Sequence, residues 1–223
     1  MCRCRYDKEE KMKKPRILLA DDHRMVSEGL RGLLEPNYQL VGMVEDGRAL
    51  LEAADKLMPD VVVADVSMPL LNGIEAVRQL KKKNPQCVVV FLTMHLDVAY
   101  AASAFDAGAS GYVLKHSAPS ELLTAINSGL KGQTYITPIL AEELLNYQHS
   151  HPKGKQEDRL SRLTSRQREV LQLLAEGLSV KEAAAILGIS ARTVEFHKYS
   201  MMETLRLKSS ADLVRFAVEH GIK

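Results

Sequence analysis

Five short runs rich in Val, Ile and Leu alternate along this chain with stretches of helical periodicity. The runs are Arg16–Ala20, Gln39–Val44, Val61–Ala64, Val88–Leu92 and Tyr112–Leu114. Between and after them lie amphipathic patterns at His23–Leu34, Gly47–Leu57, Ile74–Asn84, Asp97–Phe105 and Ser120–Gly129. Strands that are apolar almost throughout have no polar side to turn to water, so their sheet must be covered on both faces. Strand and helix in strict alternation supply that cover through crossover connections. The first part of the chain is therefore predicted to be α/β: a doubly wound, five-stranded parallel sheet of roughly 120 residues, an ordinary size for one domain.

The ends of these runs carry the chemistry. Ile17-Leu-Leu-Ala leads into Asp21-Asp22, Val61-Val-Val-Ala into Asp65, Val88-Val-Val-Phe-Leu into Thr93, and Gly111-Tyr-Val-Leu into Lys115. Ligands of doubly wound sheets sit at the carboxyl ends of the strands, where these five residues fall. Like charges gather at one corner only if a cation or a reaction offsets their repulsion. Asp21, Asp22 and Asp65 supply the hard oxygen ligands that Mg²⁺ prefers. Asp65 is the candidate nucleophile, since a carboxylate can form an acyl phosphate. Lys115 and the metal would neutralise charge on a transferring phosphoryl group, and Thr93 could donate a hydrogen bond to it. A single Asp at a strand end is ordinarily a cap or turn residue; five such groups on four strands favour the chemical reading.

Charge divides along the chain. Residues 1–14 hold six Lys/Arg against three Asp/Glu, residues 15–160 fourteen against eighteen, and residues 161–223 ten against seven. A mildly acidic middle and a mildly basic end suit a regulatory domain joined to a nucleic-acid binder. The cysteines Cys2, Cys4 and Cys87 make no even disulfide framework, and Cys2 and Cys4 are too few for a zinc site. No apolar run approaches a membrane span, and the N-terminus lacks a signal-peptide apolar region, so a cytoplasmic protein without membrane attachment is expected. Met12-Lys-Lys-Pro-Arg reads as a more natural start than Met1, and residues 1–13 as a disordered N-terminal extension. Residues 133–160 read as a linker with a short helix at Ile139–Tyr147. Its second half, His149-Ser-His-Pro-Lys-Gly-Lys-Gln, is polar and solvated, which is the simpler reading of His149 and His151 than metal binding.

From Leu163 the rhythm is wholly helical. Thr164-x-x-Gln167, Ser179-x-x-Glu182 and Ser209-x-x-Asp212 fit or approach a capping box, and Ser190 caps a helix running through Leu205. Four short helices in 161–223 make one small bundle. Within it, Val180-Lys-Glu-Ala-Ala-Ala-Ile-Leu-Gly-Ile-Ser190 is a helix, a tight turn at Gly188 and a new helix. Alanines at the centre of the first helix let the second cross closely, a helix-turn-helix pattern.

Two stretches resemble a known family. Leu-Leu-Ala-Asp21-Asp22-His23, Asp65-x-Ser-Met-Pro69, Asn72-Gly73, Leu92-Thr93 and Gly111-Tyr-Val-Leu-Lys115 are similar to a two-component response-regulator receiver, whose fold is flavodoxin-like. Leu163-Thr-Ser-Arg-Gln-Arg-Glu169-Val-Leu…Arg192-Thr-Val-Glu-Phe-His197 resembles the LuxR/FixJ/NarL-type DNA-binding domain. The resemblance implies a receiver over residues 14–132 and a DNA-binding domain over 161–223. It implies that Asp65 accepts phosphate from the phosphohistidine of a sensor histidine kinase. Asp22, Asp65 and the backbone carbonyl of Ser67 would hold Mg²⁺, with Asp21 acting partly through water. Thr93 would move toward the phosphoryl group and Tyr112 swing inward, a two-state switch biased by local charge. The resemblance also implies that Ser67 and His95 occupy positions that vary in the family and can tune autodephosphorylation.

On the helix after Ser190, Val194, His197, Met201 and Leu205 share one face and are expected in the core. The opposite face carries Arg192, Glu195, Phe196, Lys198 and Tyr199. Arg192 and Lys198 can neutralise phosphates, with Thr193 and Lys181 as neighbours. Glu195 can accept from cytosine N4, and Phe196 can pack on a thymine methyl. The family often has a basic residue at the position of Glu195 and commonly Gly at that of Arg206. Helix-turn-helix proteins usually bind as dimers, so a homodimer on double-stranded promoter DNA, promoted by phosphorylation, is expected. The expectation is a transcription regulator with only slow autophosphorylation and autodephosphorylation. Two alternatives stand beside it: an aspartate-nucleophile phosphatase, which would want a second acid where Ser67 stands, and a DNA-binding regulator that acts without phosphorylation.

Overall fold

The computed structural model describes residues 14–117, 119–150, 159–220 and 222. Strands β1 (Arg16–Ala20), β2 (Gln39–Val44), β3 (Val61–Ala64), β4 (Val88–Thr93), β5 (Gly111–Leu114) and β6 (Tyr135–Ile136) form one sheet in the order β2-β1-β3-β4-β5-β6. Every pairing is parallel. Helices α1 (Arg24–Leu34), α2 (Gly47–Leu57), α3 (Gly73–Lys83), α4 (Val98–Asp106) and α5 (Pro119–Leu130) make the crossovers.

Alternate residues of each strand feed two different cores. Ile17, Leu19, Val61, Val63, Val90, Leu92 and Val113 meet Leu34 of α1 and Leu122 and Ile126 of α5. Leu18, Ala20, Val62, Ala64, Val89 and Phe91 meet α2, α3 and α4 through Leu50, Ala76, Val77, Leu80 and Ala101. Burial of each large apolar side chain contributes about 1.5–3 kcal/mol, so a polar residue inside these runs would be costly. The polar residues are confined to the strand ends. Cys87 is a buried free thiol at the start of β4, and burial pushes its pKa up to about 11, which makes it unreactive at neutral pH.

The sheet has one strand more than the five expected. The first half of the expected linker is also built into the fold: Tyr135–Ile136 extends the sheet beyond β5, and α6 (Pro138–Ser150) follows it. Leu140 and Leu144 of α6 join the core that α4 covers. Leu140 and Leu144, four residues apart, share the side of α6 that meets this core, and Ile136 packs on it from β6. The expected extension over residues 1–13, with Cys2 and Cys4, lies outside the described residues, as does His151.

After a short 3₁₀ turn at Arg159–Arg162 come α7 (Ser165–Ala175), α8 (Val180–Leu187), α9 (Ala191–Thr204) and α10 (Ser210–Glu219). Capping boxes at Thr164/Gln167 and Ser179/Glu182 are complete in both directions. Ser190 and Ser209 accept from the backbone N–H of Thr193 and Asp212. Gly188 ends α8 in the left-handed region at φ +63°, where a side chain would be strained, and so sets the tight turn into α9. Ala183 and Ala184 are buried between the two helices. Arg206, just past the end of α9, takes the same left-handed conformation at φ +55°.

The two parts pack against each other. Arg168 on α7 pairs with buried Glu75 on α3 at 2.7 Å. Glu169 accepts from Arg48 of α2 at 3.2 Å and from Gln79 of α3 at 3.0 Å. Leu70, in the loop between β3 and α3, packs onto the helical core.

Candidate functional site: a carboxylate corner and an exposed helix face

The strand order reverses on either side of β1 and β3, which are neighbours, so their carboxyl ends open onto one crevice. That topology brings Asp21 and Asp65 together although 43 residues separate the strand ends. Both are almost completely buried, at 3% and 4% exposure. Asp22, next in the chain after Asp21, is turned outward. Lys115, just beyond β5, reaches across β4 and donates to Asp65 Oδ2 at 2.6 Å and to Asp21 Oδ2 at 2.7 Å. Burial disfavours the Lys115 charge, but its hydrogen bonds to Asp21 and Asp65 outweigh this and raise its pKa above the ordinary value. The ammonium is therefore held charged between the two carboxylates.

Asp21, Asp22, His23 and Asp65 each offer a ligand atom, all within 4.8 Å of one another. His23 sits beside the pair, its Nδ1 at 2.9 Å from Asp22 Oδ1 and 3.3 Å from Asp21 Oδ1. Three carboxylates against one ammonium leave the corner negative, and oxygen donors of this kind suit a hard divalent cation such as Mg²⁺.

The loop after Asp65 is held close to it. The Ser67 N–H approaches Asp65 Oδ1 at 3.4 Å, and the Ser67 hydroxyl meets His95 Nε2 at 2.7 Å. Gly73 explains the Asn72-Gly73 pair: a Cβ there would lie 1.9 Å from the Asp65 carbonyl oxygen. Asn72 caps α3 by accepting from the Glu75 N–H. The end of α3 can therefore sit directly under Asp65 only if position 73 has no side chain.

Thr93 ends β4 fully buried, and its hydroxyl oxygen accepts from the His95 N–H at 3.3 Å. Tyr112 is also fully buried and donates from its hydroxyl to the His95 carbonyl at 3.1 Å. Burial, with the neighbouring Tyr100 and the carboxylates of Asp97 and Asp65, raises its pKa further, so the phenol stays a neutral donor. His95 stacks on Tyr100 of α4 with ring centroids 4.3 Å apart. One histidine thus links the Asp65 loop, the end of β4, Tyr112 and α4.

The second candidate surface is α9. Arg192, Glu195, Phe196 and Tyr199 are exposed, Phe196 at 69% and Tyr199 at 62%. Thr193 is half-buried and its hydroxyl pairs with that of Ser190 at 2.8 Å. Lys198 is half-buried, its Nζ 5.1 Å from the centre of the Tyr199 ring. Lys181 stands exposed on the first turn of α8. Val194, Met201 and Leu205 fill the core beneath. His197 departs from the expected face: it is only half-buried, edge-on to Phe196 at 6.0 Å, because its place on the helix lies at the margin of the apolar stripe.

Sequence reasoning missed the residues that join the two parts, Glu75, Arg168, Glu169 and Gln172. The only signal for Gln172 was an amide set between Leu171 and Leu173 in an otherwise apolar run.

Among the described residues no helix is long and apolar enough to cross a membrane. Residues 17–127 match the response regulator receiver domain, and residues 161–217 match the bacterial regulatory proteins of the luxR family. The transcriptional regulatory protein MctR of Rhizobium johnstonii is 34% identical over 94% of this chain and 95% of its own length. UhpA of Escherichia coli is 35% identical over 89% of this chain and 95% of its own. The structure of RcsB from Salmonella enterica serovar Typhimurium, bound to a promoter in the presence of the phosphomimetic BeF3−, aligns with a TM-score of 0.57. It has 31% identity and covers 92% of this chain and 98% of that one. The chain belongs to the two-component response regulators of the LuxR type, with a receiver followed by a LuxR-type helix-turn-helix DNA-binding domain.

Proposed function

We propose that Asp65 is the phosphoacceptor of a sensor histidine kinase and that its modification controls DNA binding by α9. The observation that carries this reading is the buried Lys115 ammonium shared between Asp65 and Asp21 at the carboxyl edge of the sheet. An Asp65 carboxylate oxygen would form a bond to phosphorus as the phosphorus–nitrogen bond to the donor imidazole breaks, and the imidazole would take up a proton. Lys115 would follow the charge that builds on the phosphoryl oxygens. The hydroxyl of Thr93 would donate to one of these oxygens, giving up its present place beside the His95 N–H. Asp21, Asp22, Asp65 and the Ser67 carbonyl would hold Mg²⁺, which supplies charge neutralisation between carboxylate and phosphoryl oxygens.

The reading divides the chain into a receiver over 14–132, a connection over 133–160 and a DNA-binding domain over 161–223. Arg192, Lys181 and Lys198 would neutralise DNA phosphates. Thr193, Glu195, Phe196 and Tyr199 would face sugar or base edges in the major groove. The working form would be a homodimer on promoter DNA in the cytoplasm; RcsB dimers bound to DNA are the supporting parallel. Acyl-phosphate formation and loss at Asp65 would be slow and would serve signalling rather than turnover. Incubation with acetyl phosphate and Mg²⁺, followed by intact-mass measurement, tests the acceptor: one phosphoryl group is expected on the wild type. Continued modification of Asp65→Ala would contradict the assignment.

A further inference from the structure

Thr137, one residue past β6, is almost completely buried, at 4% exposure. It lies outside residues 17–127, the stretch that matches the receiver domain. Even so, two of its polar groups are engaged at the end of β5. Its N–H donates to the Tyr112 carbonyl at 3.0 Å, continuing the pairing that the Tyr135 N–H begins at the Ser110 carbonyl. One more step of a parallel ladder would have the Leu114 N–H donate to the Thr137 carbonyl. That carbonyl is already taken, because the chain turns at Pro138 into α6 and the Leu140 N–H donates to it at 2.9 Å. The Thr137 hydroxyl stands in its place. Its oxygen accepts from the Leu114 N–H at 3.2 Å, and it donates to Glu121 Oε2, on the first turn of α5, at 2.8 Å.

Leu114 is the residue before Lys115. Its side chain is fully buried, and its carbonyl accepts from the Ser117 N–H at 2.9 Å. The Lys115 N–H donates to the Thr93 carbonyl at 2.7 Å. The peptide that carries Lys115 is thus held from β4 on one side and from Thr137 on the other. The hold matters because a lysine stem is long and flexible, and this one must reach two buried carboxylates at once. Without the hydroxyl, the Leu114 N–H would be a buried donor with no partner, and the strand end would shift to regain one.

We infer that Thr137 is a positioning residue for Lys115: its hydroxyl fixes the end of β5, and with it the place where the ammonium meets the phosphoryl group. The inference rests on the reading of Asp65 as phosphoacceptor. Thr137 touches none of the reacting atoms and acts through the Leu114 backbone. Its effect belongs to the transfer step, where Lys115 meets the charge that builds on the phosphoryl oxygens. Binding of Mg²⁺ by Asp21, Asp22, Asp65 and the Ser67 carbonyl would use no group that Thr137 holds.

The test is the initial rate of phosphorylation of the full chain by acetyl phosphate, followed by intact mass across a Mg²⁺ titration. Thr137→Val keeps the shape of the side chain and removes the hydroxyl. It is expected to lower the rate at saturating Mg²⁺ about tenfold, within what a small misplacement of a reacting group can cost, and to leave the half-saturating Mg²⁺ concentration within about twofold. Thr137→Ser restores the donor and acceptor and should return the rate to within about twofold of the wild type. A merely structural role would lower the melting temperature of Thr137→Val and leave its rate unchanged, and that result overturns the inference. So does a loss confined to the half-saturating Mg²⁺ concentration, or a Thr137→Ser as slow as Thr137→Val. Should Thr137→Val not fold, Thr137→Cys takes its place: its sulfur is a weak acceptor, so about a threefold lower rate is expected. An unchanged rate there overturns the inference equally. Failure of the wild type itself to be phosphorylated would instead remove the phosphoacceptor reading, and the inference with it.

Discussion

The carboxylate corner and the exposed face of α9 hold charges under opposite conditions. Asp21, Asp65 and Lys115 are charged groups kept almost out of water, both carboxylates tied to the ammonium within 2.7 Å. Arg192, Glu195 and Tyr199 stand in solvent. Burial makes the first set expensive, so each member is needed by the others and the geometry is tightly specified. Exposure makes the second set cheap to change, so on the proposed reading specificity there would reside in which side chain faces the groove. The first region should fail all at once when one residue is removed, and the second gradually.

Asp65→Ala gives the largest expected effect, complete loss of phosphoryl transfer from acetyl phosphate on a Phos-tag gel. Lys115→Met comes next. It leaves Asp21 and Asp65 facing each other without the ammonium, and urea unfolding without divalent metal should show a loss of about 3–5 kcal/mol. Millimolar Mg²⁺ should restore part of that loss; full stability without metal would break the contrast between the two regions. The pH dependence follows from the raised pKa of Lys115. Its contribution is complete below its ordinary value of 10.5 and is lost as pH rises through the higher folded value. The wild type should therefore lose stability in alkali more steeply than Lys115→Met does.

Gly73→Ala should cost about 1–3 kcal/mol, because its Cβ would meet the Asp65 carbonyl and force the loop or α3 to shift. Chemical denaturation with and without Mg²⁺ measures both the loss and whether the metal site moves with it. Glu75 sharpens the comparison at the joint between the domains. Burial pushes its pKa up, but Arg168 and Arg78 more than offset this and hold it below the ordinary 4.5. The Arg168–Glu75 contact should persist above about that pH and be lost as pH falls through the lower folded value. Scattering measurements of chain dimensions should show separation on acidification, with a weaker pH dependence in Glu75→Gln. The smallest effect belongs to α9: Arg192→Ala should lower the slope of log K against log salt by about 1 and weaken binding to all DNA sequences alike.

The sequence exposed the receiver more fully than the joint. Strands such as Val61–Ala64 could be read to the residue because buried parallel strands tolerate only apolar side chains. Asp21, Asp65, Thr93 and Lys115 stood out because polar residues follow those runs abruptly. Caps at Thr164, Ser179 and Ser190 were legible because their partners lie three residues away. Contacts between domains follow no such local rule. Gln172 meets Asn72 across 100 residues, and nothing in the spacing of either records the other. The place of α6 was hidden for a related reason: its amphipathic pattern is weak, and only the surface of α4 gives its leucines a destination. His197 shows the limit at the edge of a stripe, where periodicity cannot separate core from margin.

In the proposed function, charge at Asp65 sets the DNA affinity of α9. Fluorescence anisotropy of the full chain on a duplex selected from a random pool, with and without acetyl phosphate and Mg²⁺, tests it most directly. Tighter binding by about tenfold is expected on phosphorylation, and no gain in Asp65→Ala. Equal affinity of the modified and unmodified chains, or the same gain in Asp65→Ala, would contradict it.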